Sequence, residues 1–198
     1  MTMSPNFACQ AITEAEPHAV YVTTMGAMNV MDKLDAGVLS VACVPLMGGA
    51  ASLGLGIALA RKDKQVVVLD GDASLLMELG GLVTVAQARP HNFVHFVLNN
   101  GVQFAGLGNL DTPGCTSTDF AGLAHAAGYR STFRVGSADE FKARLADILD
   151  APAPTFVELA VDSAAPTLGE AFPAIEMTDA RFTRMGDELR VIREALAG

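Results

Sequence analysis

The 198-residue sequence is poor in charge, and poorest in positive charge. Only 18% of its residues are charged, against a usual ~25%, while 51% are hydrophobic. Such a composition excludes intrinsic disorder, a basic tail and a fibrous architecture. Lys and Arg number 13 against 22 Asp and Glu, for a net charge of −9, and no cation precedes Lys33. A chain with this balance repels nucleic-acid phosphates, so no nucleic-acid partner is expected. Cysteine is scarce too. Cys9, Cys43 and Cys115 form no CxxC pair and match no histidine spacing, which argues against zinc and for a reducing cytoplasm. The N-terminus lacks the basic region and long apolar core of a signal peptide. Neither GxxxxGK[ST] nor GxSxG occurs, and Gly54-Leu55-Gly56 lacks the third glycine of a dinucleotide fingerprint. That glycine pair reads as close helix packing.

What is present is a rhythm of strands and helices. Residues 36–60 carry no charge and are long enough to span a membrane. Pro45, Gly48, Gly49, Ser52, Gly54 and Gly56 interrupt them, so they read as strand, turn and small-residue helix, and no membrane partner is expected. Ser4-Pro5 opens a helix to about residue 14. Strands are expected at 18–24, 38–44, 65–70, 92–98, 130–135 and 155–161. Helices are expected at 29–34, 48–61, 74–89, 119–127 and 137–149, with a loop at 99–117. The stretch 65–70, QVVVLD, has the unbroken β-branched run of a strand buried on both faces. The fold class that follows is α/β, a doubly wound parallel sheet with helices on both faces. Residues 1–162 form the domain, and 163–198 a linker and a C-terminal helical tail from about 179 to 196. Whether that tail packs on its own domain or on a neighbour is left open.

Ligands of an open parallel sheet gather at the carboxyl ends of its strands. Two such ends here are polar: Gly71-Asp72-Ala73-Ser74, which opens a helix, and Asn99-Asn100-Gly101. Asp72 and Asn100 offer two hard oxygens suited to Mg²⁺, which fills its octahedron with phosphate oxygens and water. Free N–H groups at the start of the helix favour an anion, so a magnesium diphosphate fits both features. The same residues would also serve as helix cap and as turn. His18, His91, His95 and His125 have no partner spacing and read as structural, with His95 a candidate for burial. The stripe Met25, Met28, Met31 reads as packing.

Gly71-Asp72-Ala73, 26 further residues and Asn100 resemble the thiamine-diphosphate signature, Gly-Asp-Gly followed by 24 to 27 residues and Asn. The text from Leu69 to Gly101, with MGGAASLGLGIALA before it, is most similar to the small 2-oxo-acid decarboxylases that act on phosphonopyruvate or sulfopyruvate. The resemblance covers roughly residues 20–161 and implies thiamine diphosphate and Mg²⁺ as cofactors. It implies that Asp72, Asn100 and the Val102 carbonyl bind Mg²⁺, and that Gly71 and the N–H groups of Ala73 and Ser74 hold the diphosphate. Thr24 and Gly26 fall near a second diphosphate turn. Met47 matches the bulky apolar residue that bends the cofactor and brings its 4′-nitrogen close to C2. The Pro45 carbonyl matches the acceptor for the 4′-amino group, and Gln103 and Phe104 face the substrate. Ala73 replaces the third glycine of the signature, which is harmless if its φ is helical. Pro45 and Met25 also replace residues that are glycine in relatives.

Enzymes of this kind also need a glutamate that activates the pyrimidine ring, carried on a separate pyrimidine-binding domain. Glu78, inside the helix after the Asp72 turn, and Glu158, in the last strand, are not placed for that task. The resemblance therefore implies a diphosphate-binding β subunit whose α partner supplies the glutamate, together decarboxylating a small 2-oxo acid. Sparse surface charge agrees with a covered face. The alternatives are a subunit of an acetolactate synthase-like carboligase or of an oxidoreductase, and a non-catalytic binding module on the same fold.

Overall fold

The computed structural model describes residues 3–43, 47–165 and 179–197. Helix α1 (Pro5–Ala15) starts where Ser4 accepts the Phe7 N–H at 3.1 Å and Pro5 occupies the first turn. There follow β1 (Val20–Thr23), α2 (Met25–Leu34), β2 (Leu39–Ala42), α3 (Ala50–Ala60), β3 (Val66–Gly71), α4 (Asp72–Met77), α5 (Gly81–Ala88) and β4 (Phe93–Asn99). A small hairpin, β5 (Val102–Gln103) and β6 (Leu110–Asp111), precedes α6 (Phe120–Ala127), β7 (Ser131–Val135), α7 (Ala138–Leu149), β8 (Thr155–Ala160) and α8 (Asp179–Ala195).

Six strands form one parallel sheet in the order β2-β1-β3-β4-β8-β7. The α/β doubly wound expectation holds. After β2 the chain crosses back over β1 to lay down β3, so the direction of winding reverses between β1 and β3. In open sheets the crevice at such a reversal is where ligands bind.

The pleat sends alternate side chains to opposite faces. On one face Tyr21, Val67, Leu69, Phe96 and Leu159 pack with Met3, Ile12, Phe141 and Ile148 under α1, α2 and α7. On the other, Val22, Val66, Val68, Phe93 and Phe156 pack with Ala51, Leu55, Ala58, Leu82, Val85 and Ala124 under α3, α5 and α6. A Cβ on Gly54 would stand 2.6 Å from Val68 Cγ2, so Gly54 serves close packing of α3 on β3, whereas a Cβ on Gly56 would meet nothing within 4 Å. Met28 and Met31 are buried, as packing residues should be.

Three expectations are corrected, and the packing of the C-terminal helix, open from the sequence, is settled. The helix expected over 74–89 is two helices, because Glu78 leaves helical geometry (φ −138°, ψ 53°) and Gly80-Gly81 adds two poor helix formers. Glu78 consequently caps the end of α4 instead of lying inside a helix. Helix α2 begins at Met25 and not at residue 29. Thr24 is its N-cap, yet its hydroxyl donates to the Cys43 carbonyl at 3.3 Å and leaves no capping bond. The loop over 99–117 contains the β5–β6 hairpin, whose two-residue strands are too short for a periodicity to announce. The C-terminal helix docks on its own domain: Ile192 is buried in the α3 face, and Glu188 Oε2 accepts the Ala42 N–H at 2.8 Å. Arg184 pairs with Asp32 of α2 at 2.9 Å. Among the described residues no helix is long and apolar enough to cross a membrane.

Candidate functional site

The winding reversal puts the end of β1 beside that of β3, where the Thr24 N–H donates to the Leu69 carbonyl at 3.1 Å. Thr24 is buried and Gly26 lies in the first turn of α2. Across the crevice, Gly71 ends β3 in extended geometry and Asp72, Ala73 and Ser74 form the first turn of α4. A Cβ at Gly26 or at Gly71 would meet nothing within 4 Å, so both backbone turns are open to approach. Ala73 is helical and has no positive φ, which removes the need for a third glycine.

Strand β4 runs beside β3 with Leu98 opposite Gly71, so Asn99-Asn100-Gly101 stands next to the Asp72 turn. The Gly101 N–H donates to Asp72 Oδ2 at 3.1 Å. Asn100 Oδ1 accepts the Val102 N–H at 3.0 Å, so Asn100 does shape a turn, while its second lone pair remains available. Asp72 does not act as a cap: Gly71 is the N-cap of α4. Nor does Ser74, whose Oγ accepts the Gly48 N–H at 2.8 Å. That bond draws the segment before α3 onto α4, and it holds half-buried Met47 next to the site. Gly48 is required there, with φ +90° and a would-be Cβ only 2.6 Å from Glu78 Cβ. Pro45 lies outside the described residues. Gln103 is half-buried on β5, while Phe104, beyond it, has φ +52° and a side chain 59% exposed.

Asp72 is buried, and among the described residues no cation is paired with it. Burial pushes its carboxyl above the usual range, against the pull of the Thr112 hydroxyl and of the Ala73, Asp72 and Gly101 N–H groups. Thr112 itself is buried, and its Oγ1 lies by this carboxylate without completing a hydrogen bond. A buried carboxylate, an amide oxygen and a neighbouring hydroxyl form a donor set of hard oxygens. That chemistry fits a divalent cation such as Mg²⁺. The open turns of Gly26 and Gly71 fit an anionic group beside it.

Two participants escape a reading of the sequence, and a third residue, an acid, has a part only in the fold. Thr112 sits in a loop with no signal. Asp70 accepts the Gly71 N–H at 2.8 Å and faces His95, and an acid closing the buried run QVVVLD was the available clue. Glu158 is buried, where it accepts Asn99 Nδ2 at 2.9 Å and the Ala121 N–H at 3.3 Å. It is thus tied into the fold and points to no external ligand.

A family model, the thiamine pyrophosphate enzyme C-terminal TPP binding domain, matches residues 23–159. Phosphonopyruvate decarboxylase of Streptomyces hygroscopicus is 38% identical over 151 residues, 76% of this chain and 37% of that protein. Sulfopyruvate decarboxylase subunit beta of Methanothermobacter thermautotrophicus is 40% identical over 106 residues, 54% of each chain. Among solved structures, the thiamine diphosphate-dependent 4-hydroxybenzoylformate decarboxylase of Rhodococcus jostii RHA1 matches with a TM-score of 0.65 at 27% identity, covering 81% of this chain and 33% of that one. The chain spans between about a third and a half of the length of these curated relatives.

Proposed function

The chain belongs to the thiamine pyrophosphate enzymes through their C-terminal TPP-binding domain, and on that premise we propose that it is the diphosphate-binding part of a 2-oxo-acid decarboxylase, a lyase of the cytoplasm. The observation that carries the reading is the buried Asp72 carboxylate without a cation, set next to Asn100 at adjacent strand ends. In this reading Asp72 and Asn100, with the Val102 carbonyl, hold Mg²⁺. Gly71 and the N–H groups of Ala73 and Ser74 bind the diphosphate, and Thr24 and Gly26 bind it from the other side of the crevice. Met47 would support the bound cofactor, the Pro45 carbonyl would accept from its amino group, and Gln103 and Phe104 would line the substrate. Bound thiamine diphosphate supplies an electron sink for loss of CO₂ from a 2-oxo acid. This chain's part is to grip, orient and partly wall off the reacting centre. Residues 1–162 carry this work, with 163–198 as linker and tail.

The activating glutamate belongs, in this proposal, to a pyrimidine-binding α subunit. Glu78 is exposed at the end of α4, and Glu158 is engaged within the fold. Supporting a partner are the beta-subunit relatives and the apolar residues exposed on α3, α4 and α5, namely Leu59, Met77 and Val83. The test pairs native mass spectrometry with CO₂ release from a panel of small 2-oxo acids, on the complex of this chain with that subunit. Asp72→Ala is expected to abolish both cofactor retention and turnover. A variant that keeps both, or a wild-type complex that holds no thiamine diphosphate with Mg²⁺ supplied, refutes the reading. Aldehyde as the product separates decarboxylation from carboligation.

A further inference from the structure

Directly behind the Gly71-Asp72 turn, the core holds a line of polar side chains that the proposed chemistry does not use. Asp70, His95 and Tyr129 are 1%, 0% and 4% exposed. Asp70 Oδ1 accepts the Gly71 N–H at 2.8 Å, and its Oδ2 lies 3.3 Å from His95 Nε2. His95 Nδ1 in turn lies 3.4 Å from the Tyr129 hydroxyl. The arrangement is consistent when His95 donates from Nε2 to Asp70 and accepts at Nδ1 from Tyr129. Phe156 stands edge-on to both rings, 5.2 Å from His95 and 5.7 Å from Tyr129 between centroids, and Phe93 closes on His95 at 6.2 Å.

A buried carboxylate is costly, and well-packed apolar residues of similar volume often serve a fold as well or better. The reason for these three is therefore to be sought in what Asp70 holds. It holds the N–H of Gly71, and with it the Asp70–Gly71 peptide plane at the end of β3, one residue before the first helical residue, Asp72. Fixing that plane fixes the point from which the chain turns through Gly71 into α4, and the Gly101 N–H bond to Asp72 Oδ2 then sets the carboxylate beside Asn100. We propose that Asp70, oriented by His95 and Tyr129, is a positioning residue that pre-aims Asp72 at a divalent cation. The inference rests on the reading of Asp72 as a metal ligand, and names the device that prepares it. Support from outer partners of this kind is general in metal sites.

The test uses the full chain with Mn²⁺ as probe cation in the presence of thiamine diphosphate, followed by electron paramagnetic resonance. Amide exchange at Gly71 and Asp72 is measured in parallel. The double variant Asp70→Leu with His95→Leu replaces the polar line by apolar volume, so a purely structural role predicts unchanged or raised stability and unchanged Mn²⁺ affinity. The positioning role predicts Mn²⁺ affinity lower by about 10–100-fold at unchanged Tm. It also predicts faster exchange at Gly71 and Asp72 but not at Val67. Asp70→Asn keeps an acceptor for the Gly71 N–H and is expected to restore most of the affinity. Tyr129→Phe removes a single hydroxyl and shifts affinity and exchange in the same direction by less. A folded double variant with wild-type affinity and wild-type exchange at both amides overturns the proposal. Should that variant not fold, wild-type behaviour in both readouts for Tyr129→Phe overturns it instead. A wild-type chain that takes up no Mn²⁺ even in its complex with the pyrimidine-binding subunit refutes the metal reading of Asp72, and the pre-aiming at a cation falls with it.

Discussion

The two faces of the sheet are finished differently. Under α1, α2 and α7 the interior is built from large side chains, Tyr21, Phe96, Phe141 and Met3 among them. The Tyr21 hydroxyl donates to the Glu16 carbonyl at 2.8 Å, and no large apolar side chain of these three helices is exposed among the described residues. The face under α3, α4, α5 and α8 also buries large rings, Phe93, Phe120, Tyr129 and Phe156, but it brings α3 close through small residues, Ala50, Ala51, Gly54 and Ala58. Leu59, Met77, Val83, Phe182 and Val191 remain exposed on it. By the pleat, this same face receives the side chains of Asp70, His95 and Glu158. One face completes itself. The other carries the polar machinery beneath and unburied apolar surface above, as a surface that meets a partner does.

The largest way to break this contrast is to hollow the self-sufficient face. Phe141→Ala, which removes a ring packed edge-on to Phe96 at a centroid distance of 6.2 Å, is expected to cost about 3–5 kcal/mol in urea unfolding. Gly54→Ala tests the opposite style of packing. Its new methyl meets Val68 Cγ2 at 2.6 Å, and the overpacking, about 1–3 kcal/mol, outweighs the ~1 kcal/mol that Ala gains in helix propensity. A net loss is therefore expected, and a stabilised variant would mean that α3 floats over β3 more freely than its small residues suggest. The smallest effect on the chain itself belongs to Val83→Ser combined with Met77→Ser. Unfolding should stay within about 0.5 kcal/mol of wild type for each change. Association with the pyrimidine-binding subunit, followed by sedimentation, should nonetheless weaken clearly. Unaltered association would remove α4 and α5 from the interface.

The legible part of this molecule is the part that composition and period encode. The run Val66 to Leu69 announced β3, and the polar break at Gly71-Asp72 announced its end, because burial on both faces demands one kind of residue and a ligand-facing turn another. The juxtaposition of Asp72 with Asn100 was also legible, since parallel neighbours place their carboxyl ends together. What stayed hidden depends on meetings between distant side chains. His95 meets Asp70 across 25 residues and Tyr129 across 34, and no local pattern records which polar groups will pair in a core. Thr112 reaches Asp72 from a loop whose course is set by the Thr112 N–H donating to the Gly101 carbonyl at 2.9 Å. The break between α4 and α5 was visible in Gly80-Gly81, yet the apolar spacing of Leu75, Leu79, Leu82 and Val83 outweighed it on paper. Apolar period describes which side is covered, and it is silent on whether the backbone runs straight.

The bond from the Ala42 N–H to Glu188 has a consequence for how this chain behaves in a crowded solution. Strand β2 is the outermost strand on its side, and a bare outermost strand offers its backbone donors as a template on which foreign strands can grow. Glu188 occupies one of those donors, and α8 lies along β2. The C-terminal helix thus obstructs the addition of a foreign strand at the β2 side of the sheet, while β7 forms the edge on the other side.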